Sequence, residues 1–275
     1  MNVIPDATRT HIEARLATAA SEEGVRVLYA AESGSRAWGF HSPDSDFDVR
    51  FLYVHPRDWY VSLAEARDVT ERPLDDKLVD LAGWDTRKAL RLLLKSNPAL
   101  YEWLVSPIVY VDSPLRAELR ALFEAAAQPR AMAHHYWSIA RGQLRAHIEG
   151  RAEVRLKKYL YVVRPLLSLA WVVRHQAPPP MAIDDLLSGA ELPPPARAAI
   201  AALIRDKRAA AELGARPPVA EIDTWAAGEL ERLDPARLPW TDAPHRRDMR
   251  AEADRLYRRI IGLAVADSPA AALPP

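Results

Sequence analysis

The alternation of apolar and polar positions divides the chain into a short strand-bearing part and a long helical one. Residues 6–23 carry Ile12, Leu16 and Ala19 at helical spacing and predict an amphipathic helix. VRVLYAAE (25–32) and FDVRFLYV (47–54) are β-branched, apolar runs of strand length and predict two buried strands. KLVDLAG (77–83) is short and alternating, and predicts a third. GSRAWG between the first two strands reads as a turn or short helix start, SPDSD as a turn, and HPRDWYVSLAEARD as a loop with an extension of the second strand. From Asp85 onward the pattern is helical. TRKALRLLLKSN and PALYEWLVS are broken at Lys95-Ser96-Asn97-Pro98, PLRAELRALFEAAA follows, and five more helices fall near 130–149, 153–176, 194–213, 219–233 and 246–265. No clear strand follows about residue 111. The order helix, three strands, then helices predicts an α+β chain: a small strand-bearing domain over 1–126, then a helical domain over 127–275 with proline-rich connectors at 178–180, 193–195 and 217–218. The tail, 266–275, is expected to fray.

Composition narrows the function classes. With 275 residues, 49% of them apolar and 27% charged, the chain can bury a substantial core. The absence of cysteine excludes disulfides, thiolate metal sites and a thiol nucleophile. The first residues lack a basic segment followed by an apolar one, so no secretory leader is expected. No run approaches the roughly 18 apolar residues of a membrane span. A cytoplasmic setting without membrane contact is the default. Net charge is zero, but its distribution is uneven: residues 41–85 hold 11 acidic and 5 basic side chains, and residues 130–175 hold 9 basic and 2 acidic. An acidic site facing basic helices suits a phosphate substrate held through cations.

The stretch SGSRAWGFHSPDSDFDVRFLYV (33–54) concentrates the chemistry. Strand residues two apart share a face, their Cα atoms ~6.5 Å apart at ~3.3 Å per residue. Asp46 and Asp48 therefore project together, repel one another and call for a cation between them. All-oxygen ligands favour Mg²⁺ or Mn²⁺. Asp80, inside the short apolar strand, is costly unless paired or metal-bound and is the preferred third carboxylate, with Asp75, Asp76 and Asp85 as nearby alternatives. If its strand lies beside that of Asp48, the three carboxylates converge on a two-metal phosphoryl-transfer site, one able to take a proton from an attacking hydroxyl. Gly34 and Ser35 follow the first strand, where a glycine permits close approach of phosphate and a hydroxyl adds a donor. Trp38 and Phe40 read as packing rather than base stacking. Arg36 and Arg50 flank the carboxylates, and Arg50 is equally suited to pair with a carboxylate or to touch phosphate. Lys157, Tyr161 and Arg164 share a helix face, with Lys158 beside it; that face is either solvated or lines the cleft. His134-His135 has no second ligand pair at metal spacing and reads as surface or packing.

GSRAWGFHSPDSDFDVRF resembles the signature of the DNA polymerase β-type nucleotidyltransferase superfamily. GWDTRKALRLLLKSNPALYEWLVSPIVY (83–110) and RLKKYLYVVRPLL (155–167) are similar to its RNA repair pathway branch, also called the YcgL family. The resemblance covers roughly residues 25–175. It implies a minimal nucleotidyltransferase fold, two divalent ions (Mg²⁺ or Mn²⁺), and transfer of NMP from an NTP to an acceptor hydroxyl. Asp46, Asp48 and Asp80 would be catalytic and metal-binding. Gly34, Ser35, Arg36, Lys157, Lys158, Tyr161 and Arg164 would bind nucleotide and phosphate. RNA reaching the basic helices at 130–175 is the favoured acceptor, with a protein hydroxyl or small molecule as alternatives. A non-catalytic nucleotide sensor on the same fold is the competing class.

Overall fold

The computed structural model describes residues 4–63, 66–209, 214–240 and 246–263. The strand-bearing part runs α1 (Asp6–Glu23), β1 (Arg26–Glu32), α2 (Gly34–Trp38), β2 (Phe47–Val54), β3 (Val69–Arg72), β4 (Val79–Asp85), α3 (Thr86–Leu94), α4 (Pro98–Val105), β5 (Val109–Val111) and α5 (Pro114–Ala126). It continues through α6 (Pro129–His147), β6 (Val154–Arg155), α7 (Lys157–His175), α8 (Ile183–Ser188), α9 (Pro194–Ala209), β7 (Ala215–Arg216), α10 (Ala220–Arg232) and α11 (Arg246–Ile260). No described helix is long and apolar enough to cross a membrane.

Local chemistry sets these boundaries. Gly24 takes a left-handed φ of 61° and its N–H donates to Ala20 and Ser21 carbonyls, which ends α1. Asp85 and Asn97 cap α3 and α4 by accepting from the N–H groups of Arg87 and Ala99. Ser96 and Pro98 thus break the apolar run where the sequence predicts.

The five-stranded sheet has the order β3-β4-β2-β1-β5. Only the β2–β4 pair is parallel; the other pairs are antiparallel, so the sheet is mixed. One face, with Val49, Phe51, Tyr53, Val79 and Leu81, packs on Ile12 and Leu16 of α1. The other face contributes Tyr29, Ala31 and Leu52 to a larger core that runs through the helices as far as Leu256.

Several elements differ from the sequence pattern. The third predicted strand starts at Val79, because residues 75–78 turn around the Asp75 side chain, which accepts from the N–H groups of Lys77 and Val79. Residues 69–72, to which the sequence pattern assigns no element, pair with β4 as a polar edge strand. β6 and β7 form a two-stranded ribbon, so the helix predicted from 153 begins only at Lys157. The prolines at 194 and 195 open α9 rather than extending a connector, consistent with proline's tolerance for a helix's first turn. α8 has no counterpart in the pattern, and the tail at 266–275 lies outside the described residues.

A buried ion pair ties the helices to the loop after β1. Arg164 Nη1 donates to Glu102 Oε1 at 2.8 Å, and their side chains are 4% and 11% exposed. Trp38 Nε1 donates to the other Glu102 oxygen at 3.0 Å, Tyr136 donates its hydroxyl to Glu102 Oε1, and the Arg164 guanidinium lies 4.4 Å over the Trp38 ring. Removing one member strands the other charge. Arg164→Leu is therefore expected to lower unfolding free energy by about 3 kcal/mol, read by urea denaturation. A loss below about 1 kcal/mol would show the network to be dispensable.

Candidate functional site

The parallel register of β2 and β4 sets Asp48 directly opposite Asp80. Side chains opposite one another in a parallel ladder point to the same face, so the two carboxylates are neighbours by construction. Arg50, two residues along β2, shares that face. Its Nη2 donates to Asp48 Oδ1 and its Nη1 to Asp80 Oδ2, each at 2.8 Å. Of the two roles open to Arg50 in the sequence, the structure shows the carboxylate pair.

Burial pushes the Asp48 carboxyl above the usual range, Arg50 opposes this, and the charges of Asp46 and Asp80 add to the rise. Asp46 is exposed and precedes the strand. Among the described residues no three acidic or imidazole side chains are gathered tightly enough to hold a metal ion. The donor chemistry nevertheless fits a hard divalent cation: carboxylate oxygens only, crowded and short of positive charge. Asp48 and Asp80 are the pair positioned to hold it, with Arg50 between them.

The rest of the site follows from how close the Gly-Ser loop comes. Gly34 has a φ of +60°, and a Cβ built on it would lie 2.0 Å from Asp48 Oδ2. Only glycine meets both demands. Glu32, at the end of β1, is fully buried. Its Oε1 accepts the Asp48 N–H at 2.9 Å, and its other oxygen accepts the Tyr110 hydroxyl at 2.5 Å. Burial pushes its carboxyl up to about 7. Ser42 and Ser45 bond to each other and close the SPDSD turn.

A cleft of 330 Å³ lies beside the Gly-Ser loop and the SPDSD turn, bounded by Ser35, Asp44, Asp46, Lys157, Tyr161, Lys207 and Leu78 among others; Asp48 and Asp80 do not line it. α7 thus brings Lys157 and Tyr161 to the cleft. Burial, then the charges of Asp46 and Asp48, raise the Tyr161 hydroxyl's pKa. Lys158 lies over the Tyr161 ring, 5.6 Å from its centroid.

Two predicted phosphate contacts are placed elsewhere. Arg164 shares the helix face of Lys157, but one further turn carries it under Trp38, where it is 3% exposed and committed to Glu102 and the Met181 carbonyl. Arg36 donates to the Ser45 and Asp46 carbonyls and stacks 3.8 Å from the Phe47 centroid, so it braces the acidic turn. Trp38 and Phe40 pack the loop, their ring centroids 5.7 Å apart.

Three further residues belong to the site, two of them with little signal in the sequence. Lys207 comes from α9, in a segment without a motif, and donates to Ser42 Oγ. Glu32 has the same signal that marks Asp80, a charge in an apolar strand. Leu78 reads as part of a strand.

The mixed sheet, the Gly-Ser loop and the register-matched aspartates define a nucleotidyltransferase-type α+β fold. The chain belongs to the RNA repair pathway DNA polymerase beta family, whose pattern matches residues 8–259. It is 42% identical over 239 residues to the uncharacterized protein YcgL of Bacillus subtilis (strain 168), covering 86% of this chain and 90% of that one. A nucleotidyltransferase-like protein from Exiguobacterium sibiricum 255-15 aligns with 90% of this chain and 79% of its own at 13% identity and a TM-score of 0.30. The family suggests nucleotidyl transfer.

Gly34→Ala is expected to cost about 3 kcal/mol of stability, from left-handed strain and the clash with Asp48. In an Asp48→Ala background only the strain, about 1 kcal/mol, should remain. A double-mutant cycle by urea denaturation measures this, and equal costs in both backgrounds would refute the clash.

Proposed function

We propose that the protein is a metal-dependent nucleotidyltransferase that moves NMP from an NTP to an acceptor hydroxyl and releases pyrophosphate. The observation that carries this reading is the Asp48–Asp80 pair aligned by the parallel register; the neighbouring cleft is lined by Ser35, Asp46, Lys157 and Lys207. Paired carboxylates suit a cation-bound phosphate, and lysines suit a polyanion, which supports this reading.

Asp46, Asp48 and Asp80 would hold the divalent cations, Mg²⁺ or Mn²⁺. When bound, these supply charge neutralisation at the reacting phosphate. The chain's own groups do the rest. Ser35 offers a hydroxyl to the phosphates, and Lys157 and Lys207 take the charge of the tail. Tyr161 flanks the carboxylates. Asp80 accepts the proton of the attacking hydroxyl as its oxygen bonds to the α-phosphorus and the bond to the bridging oxygen breaks.

RNA is the favoured acceptor. Arg130, Arg145, Arg151 and Arg155 are exposed on the basic stretch, and their charge suits a phosphate backbone. A protein hydroxyl or a small molecule would use the same chemistry. One observation favours a second reading, a nucleotide sensor without catalysis: Arg50 already satisfies both aligned carboxylates.

Incubation with each α-³²P-labelled NTP and Mg²⁺ or Mn²⁺, with RNA, cell extract or no acceptor, distinguishes the two. Label transfer by the wild type, reduced at least 10³-fold in Asp48→Asn and Asp80→Asn, is expected. NTP binding without transfer under any condition would establish the sensor. A second prediction concerns Arg50. Arg50→Met should tighten Mn²⁺ binding by about tenfold while lowering metal-free stability by about 1–2 kcal/mol. Mn²⁺ paramagnetic resonance titration and thermal melts with and without Mn²⁺ check it; unchanged affinity would show that the guanidinium and the cation do not compete.

A further inference from the structure

Leu78 is at odds with folding on two counts. Its φ is +60°, a left-handed conformation that disfavours any residue with a Cβ and that glycine adopts freely. Its side chain is also left in solvent: Leu78 is 39% exposed, and Leu74, four residues earlier, is 51% exposed. Neither joins the two apolar cores. Glycine or asparagine at 78 would remove both the strain and the exposed apolar surface. Strained residues persist where their surroundings over-determine them, and they gather at working sites.

The surroundings here are rigid. Asp75 Oδ1 accepts the N–H groups of Lys77 and Val79, while its Oδ2 receives His11 at 2.7 Å and Arg15 at 3.1 Å, both from α1. Arg15 also donates to the carbonyls of Pro73 and Val79. Leu78 N–H donates to the Asp75 carbonyl, and the Leu78 carbonyl accepts the Phe47 N–H at 2.7 Å. The turn is therefore fastened to α1 on one side and to the start of β2 on the other. Asp80 follows two residues later.

Both leucines line the same 330 Å³ cleft as Asp46, Lys157 and Lys207. The cleft is lined by charged and apolar side chains together, and a nucleoside triphosphate carries both characters. We infer that Leu78, with Leu74, forms the wall against which the nucleoside end of the NTP lies, while Lys157 and Lys207 receive its phosphates. This rests on the NTP-dependent reading above. An apolar peptide segment fits the cleft poorly, because it would cover the leucines but bring no charge to the lysines and carboxylates that line the cleft with them. A nucleotide covers the leucines and supplies the anion together.

The test uses calorimetric titration of the full chain with ATP and with inorganic tripolyphosphate, each with Mg²⁺, for wild type, Leu78→Gly and Leu78→Met. The wild type should bind both. Leu78→Gly should melt at or above the wild-type temperature, hold tripolyphosphate as the wild type does, and bind ATP about tenfold more weakly. Leu78→Met should keep the wild-type ATP affinity. Undiminished ATP binding by Leu78→Gly overturns the inference, as does an equal loss for ATP and tripolyphosphate, which would make Leu78 a spacer of the turn. A wild type that binds ATP but fails these comparisons leaves the transferase reading standing; a wild type that binds neither probe removes both.

Discussion

Two carboxylates on neighbouring parallel strands cannot move apart without breaking the ladder that carries them. The pairing of Asp48 with Asp80 imposes this on the molecule, and much of the nearby structure answers it. Arg50 supplies the positive charge from the same strand face. Glu32 holds the Asp48 N–H, Gly34 leaves out the Cβ that the Asp48 carboxylate would strike, and the Asp75 turn delivers Asp80 in register. Each of these would be arbitrary without the carboxylate pair. With it, each removes one way for the pair to relax.

The helices past residue 127 are part of this arrangement. α7 presents Lys157 and Tyr161 to the cleft in its first turns and Arg164 to the interior a turn later. Glu102 accepts from Arg164, Trp38 and Tyr136, which come from three different helices. A buried ion pair of this kind is weak evidence for net stability, but it fixes geometry, because each donor has one acceptor to satisfy. The loop behind Gly34 is thereby tied to the helix that carries Lys157. α9 adds a second tie: Lys207 donates to Ser42, and Arg208 to the Gly39 carbonyl.

Periodicity and local chemistry make most of the helices and the central strands legible, since their apolar faces are continuous and their caps are local. The Asp48–Asp80 neighbourhood was legible too, because a charge inside an apolar strand needs a partner. The edge strand β3 and the β6–β7 ribbon were not, for VTER and the two-residue ribbon strands owe their form to partners distant in the chain. Arg164 was misplaced for a related reason. Helical spacing places it on the face of Lys157, but spacing says nothing about what covers that face one turn on. Lys207 and Leu78 belong to the same category: their position at the cleft is set by packing of α9 and by a turn closed through α1, neither of which leaves a mark in the local sequence.

The electrostatics of the carboxylate pair are set by burial as well as by Arg50. A guanidinium at hydrogen-bond distance by itself lowers a carboxyl's pKa. Here, with Arg50 at 2.8 Å, the Asp48 carboxyl is still held above the ordinary carboxylate range, and Asp46 and Asp80 push in the same direction. Burial is the largest cause, and the guanidinium opposes it. Opposed charges about 4 Å apart near a protein surface interact by about 4 kcal/mol, so a compact divalent ion has room to improve on the arginine. Arg50 is half-buried on a flexible stem, and it can leave without taking a core residue with it. A pair of carboxylates held in register, with its counter-charge on a flexible stem and lysines lining the neighbouring cleft, is an arrangement that the transferase and sensor readings both use.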